Sequence, residues 1–329
     1  MKVLVVTNMW PSAERPHWGA FVKSQADSLA AAGCENTLYE IHGWRSKQQY
    51  LEAWRELPRV ADACGAELVH AHFGYSGAAA ARVKLPLVVS FCGDDLLGHP
   101  RADGRATLKS RALIEVSRWA ARRAHGVIVK TDEMRRVIAA VPDVHVIANG
   151  VDLTRFTPES RAAARAALGW RADGDVLLFA AHPSELRKNF ALAREVEQRL
   201  VARGLDVRLE AFHDRPQTDM VRAMNAADVL LLPSLHEGSP NVVKEAMAVN
   251  LPVVAAPVGD CADLLRAVQP SAVAALDAAA FTAATAAVLA ARARSNGREV
   301  VSRTLSLAAV AERVLAVYAQ ARQRFERRR

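Results

Sequence analysis

The chain has 329 residues, 51% hydrophobic and 24% charged, with 43 basic against 35 acidic side chains and a net charge of +8. Length and composition describe two ordinary folded domains and exclude a disordered chain, a coiled coil and a collagen-like repeat. The mild basicity suits an anionic small molecule, an anionic membrane surface or nucleic acid, and selects none of them. Cys34, Cys64, Cys92 and Cys261 show no CxxC pair and no Cys/His ligand spacing, so they read as reduced thiols in a reducing compartment. The N-terminus lacks the long apolar core of a secretion signal, and no apolar run of about 18 residues could span a membrane. The alanine-rich stretch 271–291 contains Asp277 and two threonines and reads as a soluble helix. The expected location is the cytoplasm, with at most peripheral contact at the inner face of the membrane.

In chain order, valine- and leucine-rich runs predict strands at 3–7, 37–41, 68–71, 87–91, 127–130 and 144–148. Most are continuous rather than alternating, the pattern of strands buried on both faces. Helical periodicity fills the intervals at 20–32, 48–63, 106–124 and 132–140. The alternation then restarts, with strands at 176–181, 207–212, 229–232 and 253–255 and helices at 189–203, 217–226, 240–249 and 281–293. Strands alternating with helices imply α/β domains with doubly wound parallel sheets. The turn Asn149-Gly150 followed by Val151-Asp152 marks the boundary. The expected division is a first domain over 1–152, a second over 153–304, and a C-terminal helix within 305–329 that packs back on the first. Ligands of such sheets bind beyond the carboxyl ends of the strands. Two such domains are therefore expected to face a cleft, and their strand-to-helix loops should carry the chemistry.

The most informative loop follows the 229–232 strand. It reads Glu237-Gly238-Ser239-Pro240-Asn241-Val242 and runs into Val243-Lys244-Glu245-Ala246-Met247-Ala248. Ser239 is placed as helix N-cap and Pro240 at the first helical position. Gly238 lets the backbone approach a ligand, and the amides of Asn241 and Val242 at the positive helix end favour an anion. Glu237 stands just ahead of the helix mouth, and Glu245 lies one turn beyond Asn241 on the same face. An anion socket with two hydroxyl-accepting carboxylates is what a sugar on a nucleoside diphosphate requires. A capped helix with incidental carboxylates is the plain alternative.

Glu237 and Glu245, separated by seven residues and followed by Ala246-Met247-Ala248, resemble the signature of retaining GT-B glycosyltransferases of the family 4 (group 1) type. Asn149-Gly150-Val151-Asp152, the strand at 251–255 and the closing helix through Tyr318 fit the same resemblance, which covers nearly the whole chain. It implies the GT-B fold of two Rossmann-like domains. It also implies metal-independent transfer of a sugar, with retention, from a UDP- or GDP-sugar to a hydroxyl of a glycan or lipid-linked acceptor. No cofactor is implied. By resemblance, Glu245 holds the ribose and Glu237 contacts the donor sugar.

The loop His182-Pro183-Ser184-Glu185-Leu186-Arg187-Lys188-Asn189 follows the first strand of the second domain. Arg187 and Lys188 can neutralise a pyrophosphate whose charge rises as the glycosidic bond breaks. Relatives carry Gly-Arg where this chain has Ala181-His182, so either His182 or Arg187 supplies that charge. Gly19 resembles the family's loop glycine beside the donor phosphate. Cys92-Gly93-Asp94-Asp95 ends the fourth strand, where many relatives have a donor-contacting histidine; this form resembles the branch linked to teichuronic acid, exopolysaccharide and other cell-surface glycans. The resemblance places Cys92, Gly93 and Asp94, with His72 of His70-Ala71-His72, in the acceptor and sugar pocket. Asp94-Asp95 lacks D-x-D spacing, so no metal site is expected. A dinucleotide-type G-x-G-x-x-G is absent.

The stretch 101–136 carries ten basic residues against four acidic, a net of +6. Arg111, Arg118 and Arg122 share a helical face that could meet an anionic lipid-linked acceptor or membrane. No nucleic-acid module is present. Two other readings stay open. One is a GT-B-type nucleotide-sugar epimerase; the other is a catalytically weak GT-B binding protein, prompted by His182 and Cys92.

Overall fold

Apolar runs alternating with helices build one parallel sheet in each half of the computed structural model, which describes residues 1–15, 17–98 and 107–328. The first half comprises β1 (Lys2–Thr7), α1 (Ala20–Ala31), β2 (Glu35–Glu40), α2 (Gln48–Ala63), β3 (Leu68–His72), α3 (Gly74–Ala80), β4 (Leu87–Ser90), α4 (Asp94–Leu97), α5 (Leu108–Arg123), β5 (Gly126–Val129), α6 (Asp132–Val137) and β6 (Val144–Val146). The second comprises α7 (Arg161–Leu168), β7 (Asp175–Phe179), α8 (Phe190–Ala202), β8 (Val207–Ala211), α9 (Gln217–Ala226), β9 (Val229–Leu232), α10 (Asn241–Ala248), β10 (Val253–Ala255), α11 (Cys261–Leu265), β11 (Ala272–Val273), α12 (Ala278–Ala290) and α13 (Gly297–Thr304). The last helix, α14 (Leu307–Arg327), joins the first half. The two compact units are thus Met1–Gly150 with Leu307–Arg329, and Val151–Ser306.

The first sheet has strand order β2-β1-β3-β4-β5-β6, all parallel. Its inner strands are buried because helices cover both faces. On one side Leu57, Ala79 and Leu96 meet Val69, Val89 and Val129. On the other, Leu29 of α1 and Val310, Val314, Val317 and Tyr318 of α14 meet Val3, Val5, Val88 and Ile128. Each large apolar side chain so buried contributes about 1.5–3 kcal/mol. Tyr318 also reaches the sheet's polar interior: its hydroxyl bonds His70 Nδ1 at 2.7 Å, and His70 Nε2 bonds Ser90 Oγ at 2.8 Å. Burial, with some help from the Lys130 charge, pushes His70 down to about 3, so the imidazole is neutral.

The second sheet runs β11-β10-β9-β7-β8, again parallel. Leu177, Phe179, Leu231 and Val254 pack under Val196 and Leu200 of α8 and Phe281 of α12. The alanine-rich stretch yields α12, started by Asp277, whose carboxylate accepts from the Ala280 amide at 2.8 Å. Among the described residues no helix is long and apolar enough to cross a membrane. Where the sequence predicts a helix at 106–124, α5 starts at Leu108 because Thr107 Oγ1 accepts from the Ser110 amide; residue 106 lies outside the described residues. Short α3, α4, α7, α11 and α13 escape sequence periodicity because they hold only one or two turns each. Because each sheet is parallel, the loops after β3, β4 and β5 open at one edge of the first unit. Those after β7, β8, β9 and β10 likewise open at one edge of the second.

Candidate active site

In the second unit, adjacent strands β7 and β9 deliver two loops to the carboxyl edge. A short 3-10 turn, Leu186–Lys188, carries Arg187 and Lys188. The other loop carries Glu237, and a Leu235 amide donating to the Arg187 carbonyl at 2.8 Å ties the two together. Lys188 Nζ donates to Glu237 Oε1 at 2.6 Å, and Arg187 Nη1 to Oε2 at 3.2 Å. Glu237 is 9% exposed. Burial alone would raise its pKa; the Lys188 and Arg187 charges outweigh burial and leave it below the usual carboxylate range. Three of the predicted residues therefore form one ion cluster. Lys188, Ser234 and Val242 also line a small crevice between the ends of β7 and β9.

Ser239 is not the N-cap that the sequence predicts. Helix α10 begins at Asn241 with Pro240 in the cap position and no side-chain cap bond. The Ser239 hydroxyl donates instead to Asp260 Oδ2 at 2.7 Å and accepts from Lys244 Nζ at 3.0 Å. Sequence reasoning assigned Lys244 and Asp260 no role; Lys244 is only 1% exposed. Gly259 completes this bracket. Its φ is +55°, and a Cβ there would lie 1.8 Å from the Gly238 carbonyl oxygen. Asn241 and Val242 head the helix, so their amides point out along its axis. Glu245 sits one turn on; burial pushes its carboxyl up to about 7, with Lys244 and Arg155 acting against the rise.

His182 stands apart from the ion cluster. Its Nδ1 accepts from the Ser184 amide at 3.1 Å and bonds the Ser184 hydroxyl at 2.7 Å, and its ring lies 4.3 Å from that of His213. Arg187, not His182, meets Glu237. His182, His213 and Asp214 bring one ligand atom each within 4.8 Å of one another, the metal-ligating group found among the described residues. Sequence spacing gave no signal for it, because β8 brings His213 alongside from 31 positions away.

At the carboxyl edge of the first unit, Gly19 precedes α1 with φ +73°, and a Cβ there would lie 2.3 Å from the Met9 carbonyl oxygen. Tight backbone packing therefore demands glycine at this position. Past β4, the buried Asp95 carboxylate accepts from the amides of Gly74 at 3.1 Å, Cys92 at 2.9 Å and Gly93 at 2.9 Å. Asp95, rather than exposed Asp94, thus shapes the Cys92-Gly93 turn. Burial pushes Asp95 up to about 6, with these amides opposing the rise. Burial and then the Asp95 charge push the half-buried Cys92 thiol well above its ordinary value. His72 is buried and held neutral by that burial. On α5, Arg111 and Arg122 are exposed, but Arg118 is tied to Glu115 at 2.6 Å and the Val137 carbonyl at 3.2 Å. Residues 101–106 of the basic stretch lie outside the described residues.

A cavity of about 740 Å³ lies at the opposite, amino-terminal edge of the second sheet, lined by Asp175, Asp206, Asp228, Arg161 and Arg292. Its charges are largely paired with one another, Arg165 to Asp228 and Arg292 to Asp175, both at 2.6 Å. That arrangement is structural, and it leaves the carboxyl edge as the chemically equipped one.

Two parallel α/β units with these loops define a GT-B glycosyltransferase fold. The family described as "Glycosyltransferase Family 4" matches residues 1–155 and "Glycosyl transferases group 1" matches residues 175–291; the chain belongs to this family of glycosyltransferases. It is 39% identical to D-inositol 3-phosphate glycosyltransferase of Saccharomonospora viridis, over 40% of this chain and 38% of that protein. It is 24% identical to the putative teichuronic acid biosynthesis glycosyltransferase TuaC of Bacillus subtilis, over 80% of this chain and 83% of that protein. The chain spans between 38% and 58% of the length of the curated relatives it first matches. Sucrose-phosphate synthase of Thermosynechococcus elongatus shares the fold with a TM-score of 0.78 at 18% identity, covering 97% of this chain and 99% of that one. Anabaena HepE in complex with UDP-glucose does so with a TM-score of 0.69 at 16% identity, covering 97% and 99%.

Gly259→Ala tests the bracket around Glu237. The added methyl must displace the Gly238 backbone at a φ that L residues rarely adopt, at a cost of about 1–3 kcal/mol. The expected result is a melting temperature several degrees lower; an unchanged melting curve would show that the two turns are not packed as described.

Proposed function

We propose that this enzyme transfers a sugar, with retention and without a metal ion, from a UDP- or GDP-sugar to a hydroxyl of a glycan or lipid-linked acceptor in cell-surface polysaccharide synthesis. The observation that carries this reading is the Lys188–Glu237–Arg187 cluster beside the start of α10, with Glu245 one turn further on. Two cations gathered on one carboxylate form an anion site filled by the chain's own anion. A diphosphate brings enough charge to share them. Lys188 and Arg187 then neutralise the charge that grows on the diphosphate as its bond to the sugar breaks, the task a divalent ion performs elsewhere. Glu237, released in part, accepts from hydroxyls of the donor sugar. Glu245 accepts from the ribose, and Gly238, Ser239, Asn241 and Val242 form the wall along which the diphosphate lies. His182 and Gly19 flank the donor, and Cys92, Gly93, Asp94 and His72 line the acceptor side.

In the retaining step the acceptor oxygen bonds to the anomeric carbon on the face from which the phosphate oxygen departs, and the acceptor proton passes to that oxygen. The UDP-glucose bound by Anabaena HepE supports a nucleotide-sugar donor, and the name of the Bacillus subtilis relative supports a cell-surface product.

Turnover of a panel of UDP- and GDP-sugars should persist in excess EDTA. Lys188→Ala should lower that turnover on the order of 10²-fold while leaving affinity for the free nucleoside nearly unchanged. Loss of wild-type turnover in EDTA with recovery on added magnesium, or full turnover by Lys188→Ala, would contradict this account.

An ionised Glu245 can accept both ribose hydroxyls, one on each oxygen, whereas protonation turns one of those oxygens into a donor. UDP-glucose, which has no group of its own titrating near neutrality, should therefore bind about tenfold tighter at pH 8 than at pH 6, following the ionised fraction of a group with a pKa of about 7. Glu245→Gln should bind more weakly and lose this slope. Calorimetry showing the same slope in the variant would remove Glu245 from the ribose site.

A further inference from the structure

The carboxyl edge of the first sheet holds a buried charge that the proposed donor chemistry does not use. Lys130 directly follows β5 and is 2% exposed, yet its ammonium has no hydrogen-bond partner among the described residues. The register aligns His72 of β3 with Ser90 of β4 and Ser90 with Ile128 of β5, so Lys130 stands at the same edge as the ends of β3 and β4; its charge acts on His70, His72 and Cys92, and burial lowers its own pKa against the opposing pull of Cys92 and Asp95. None of these groups takes it as a donor. Asp95 engages Oδ1 with the amides of Cys92 and Gly93 and Oδ2 with those of Gly74 and Cys92. His70 is bonded at both ring nitrogens. His72 contributes a second unmet atom, a buried Nδ1 without a partner. Beside them the Gly93 backbone borders open space: a Cβ built there would meet nothing within 4 Å.

An ammonium taken out of water without an acceptor is costly. The chain avoids that cost at its other deeply buried cations. Lys244 donates to Ser239, and Arg165 donates to Asp228 and to the carbonyls of Ala172, Gly174 and Ala226. At Lys130 none of the described residues supplies the acceptor, which leaves that place to an incoming group. An imidazole and an ammonium at one sheet edge, next to open space and with both oxygens of Asp95 engaged, suit an incoming anion.

We propose that Lys130, with the His72 imidazole beside it, holds an anionic group, a carboxylate or a phosphate, carried by the sugar substrate that enters the first unit. This rests on the transferase reading and specifies its substrate class: one of the two sugars is acidic. The anion belongs either to the acceptor or to the sugar being transferred, and both sources present the same chemistry to Lys130.

Calorimetry on the full chain separates them. The acceptor pairs are glucose against glucose 6-phosphate and glucose against glucuronate, each with UDP present; the donor pair is UDP-glucose against UDP-glucuronate. In at least one pair the charged member should bind tenfold or more tightly than the neutral one. Lys130→Met should abolish that preference while keeping wild-type affinity for UDP. A preference confined to the free sugars assigns the anion to the acceptor; one confined to the UDP-sugars assigns it to the donor. If the methionine variant does not fold, Lys130→Gln carries the same expectation. No preference in any pair while UDP binds normally, or a preference that survives in a folded Lys130 variant, would overturn the proposal. Failure of the wild-type protein to bind any nucleotide would instead count against the transferase reading.

Discussion

A carboxylate that is nine-tenths buried must be compensated by neighbouring charge, and at Glu237 two cations supply it. Most of the second unit's carboxyl edge can be derived from that requirement. The cations come from the loop after β7 and the anion from the loop after β9, which are neighbours only because the parallel sheet pairs those strands. The Leu235–Arg187 backbone bond fixes the two loops to each other. The Lys244–Ser239–Asp260 chain and the close approach of Gly259 then hold Glu237's own loop against the turn before α11.

Environment separates the two glutamates of the motif. Glu237 and Glu245 carry the same functional group within one loop and helix. Glu237 meets two cations at hydrogen-bond distance and is held below its usual range; Glu245 is dominated by burial and rises to about 7. In the proposed donor site, a permanently charged carboxylate would stand where a diphosphate meets its counter-charges, and one poised near neutrality where a nucleoside would fill and dry the pocket. The first unit shows the converse case. Its buried carboxylate, Asp95, takes its hydrogen bonds from amides and leaves Lys130 without a hydrogen-bond partner among the described residues.

The sequence was most legible where burial is continuous. Runs such as 229–232 and 253–255 coincide with β9 and β10, because a strand covered on both faces leaves an unbroken apolar signature. The Glu237, Lys188 and Arg187 side chains were legible too, since each follows such a strand. Legibility failed where the decisive partner is distant in sequence. Ser239-Pro240 reads locally as a cap and first turn, but Asp260, 21 positions on, takes the hydroxyl. Lys130 follows an ordinary strand, and nothing in its neighbours announces that Asp95 is already satisfied. His213 and His182 are joined by sheet pairing alone.

The proposal turns on Lys188 and Arg187, both held by Glu237, being the partners of a diphosphate. The most direct measurement is calorimetric titration with uridine, UMP and UDP, and with guanosine, GMP and GDP in parallel. The account predicts that in one series the second phosphate adds at least tenfold in affinity, about 1.4 kcal/mol, and that this increment weakens as salt is raised. A nucleoside monophosphate that binds as tightly as its diphosphate in both series would contradict it.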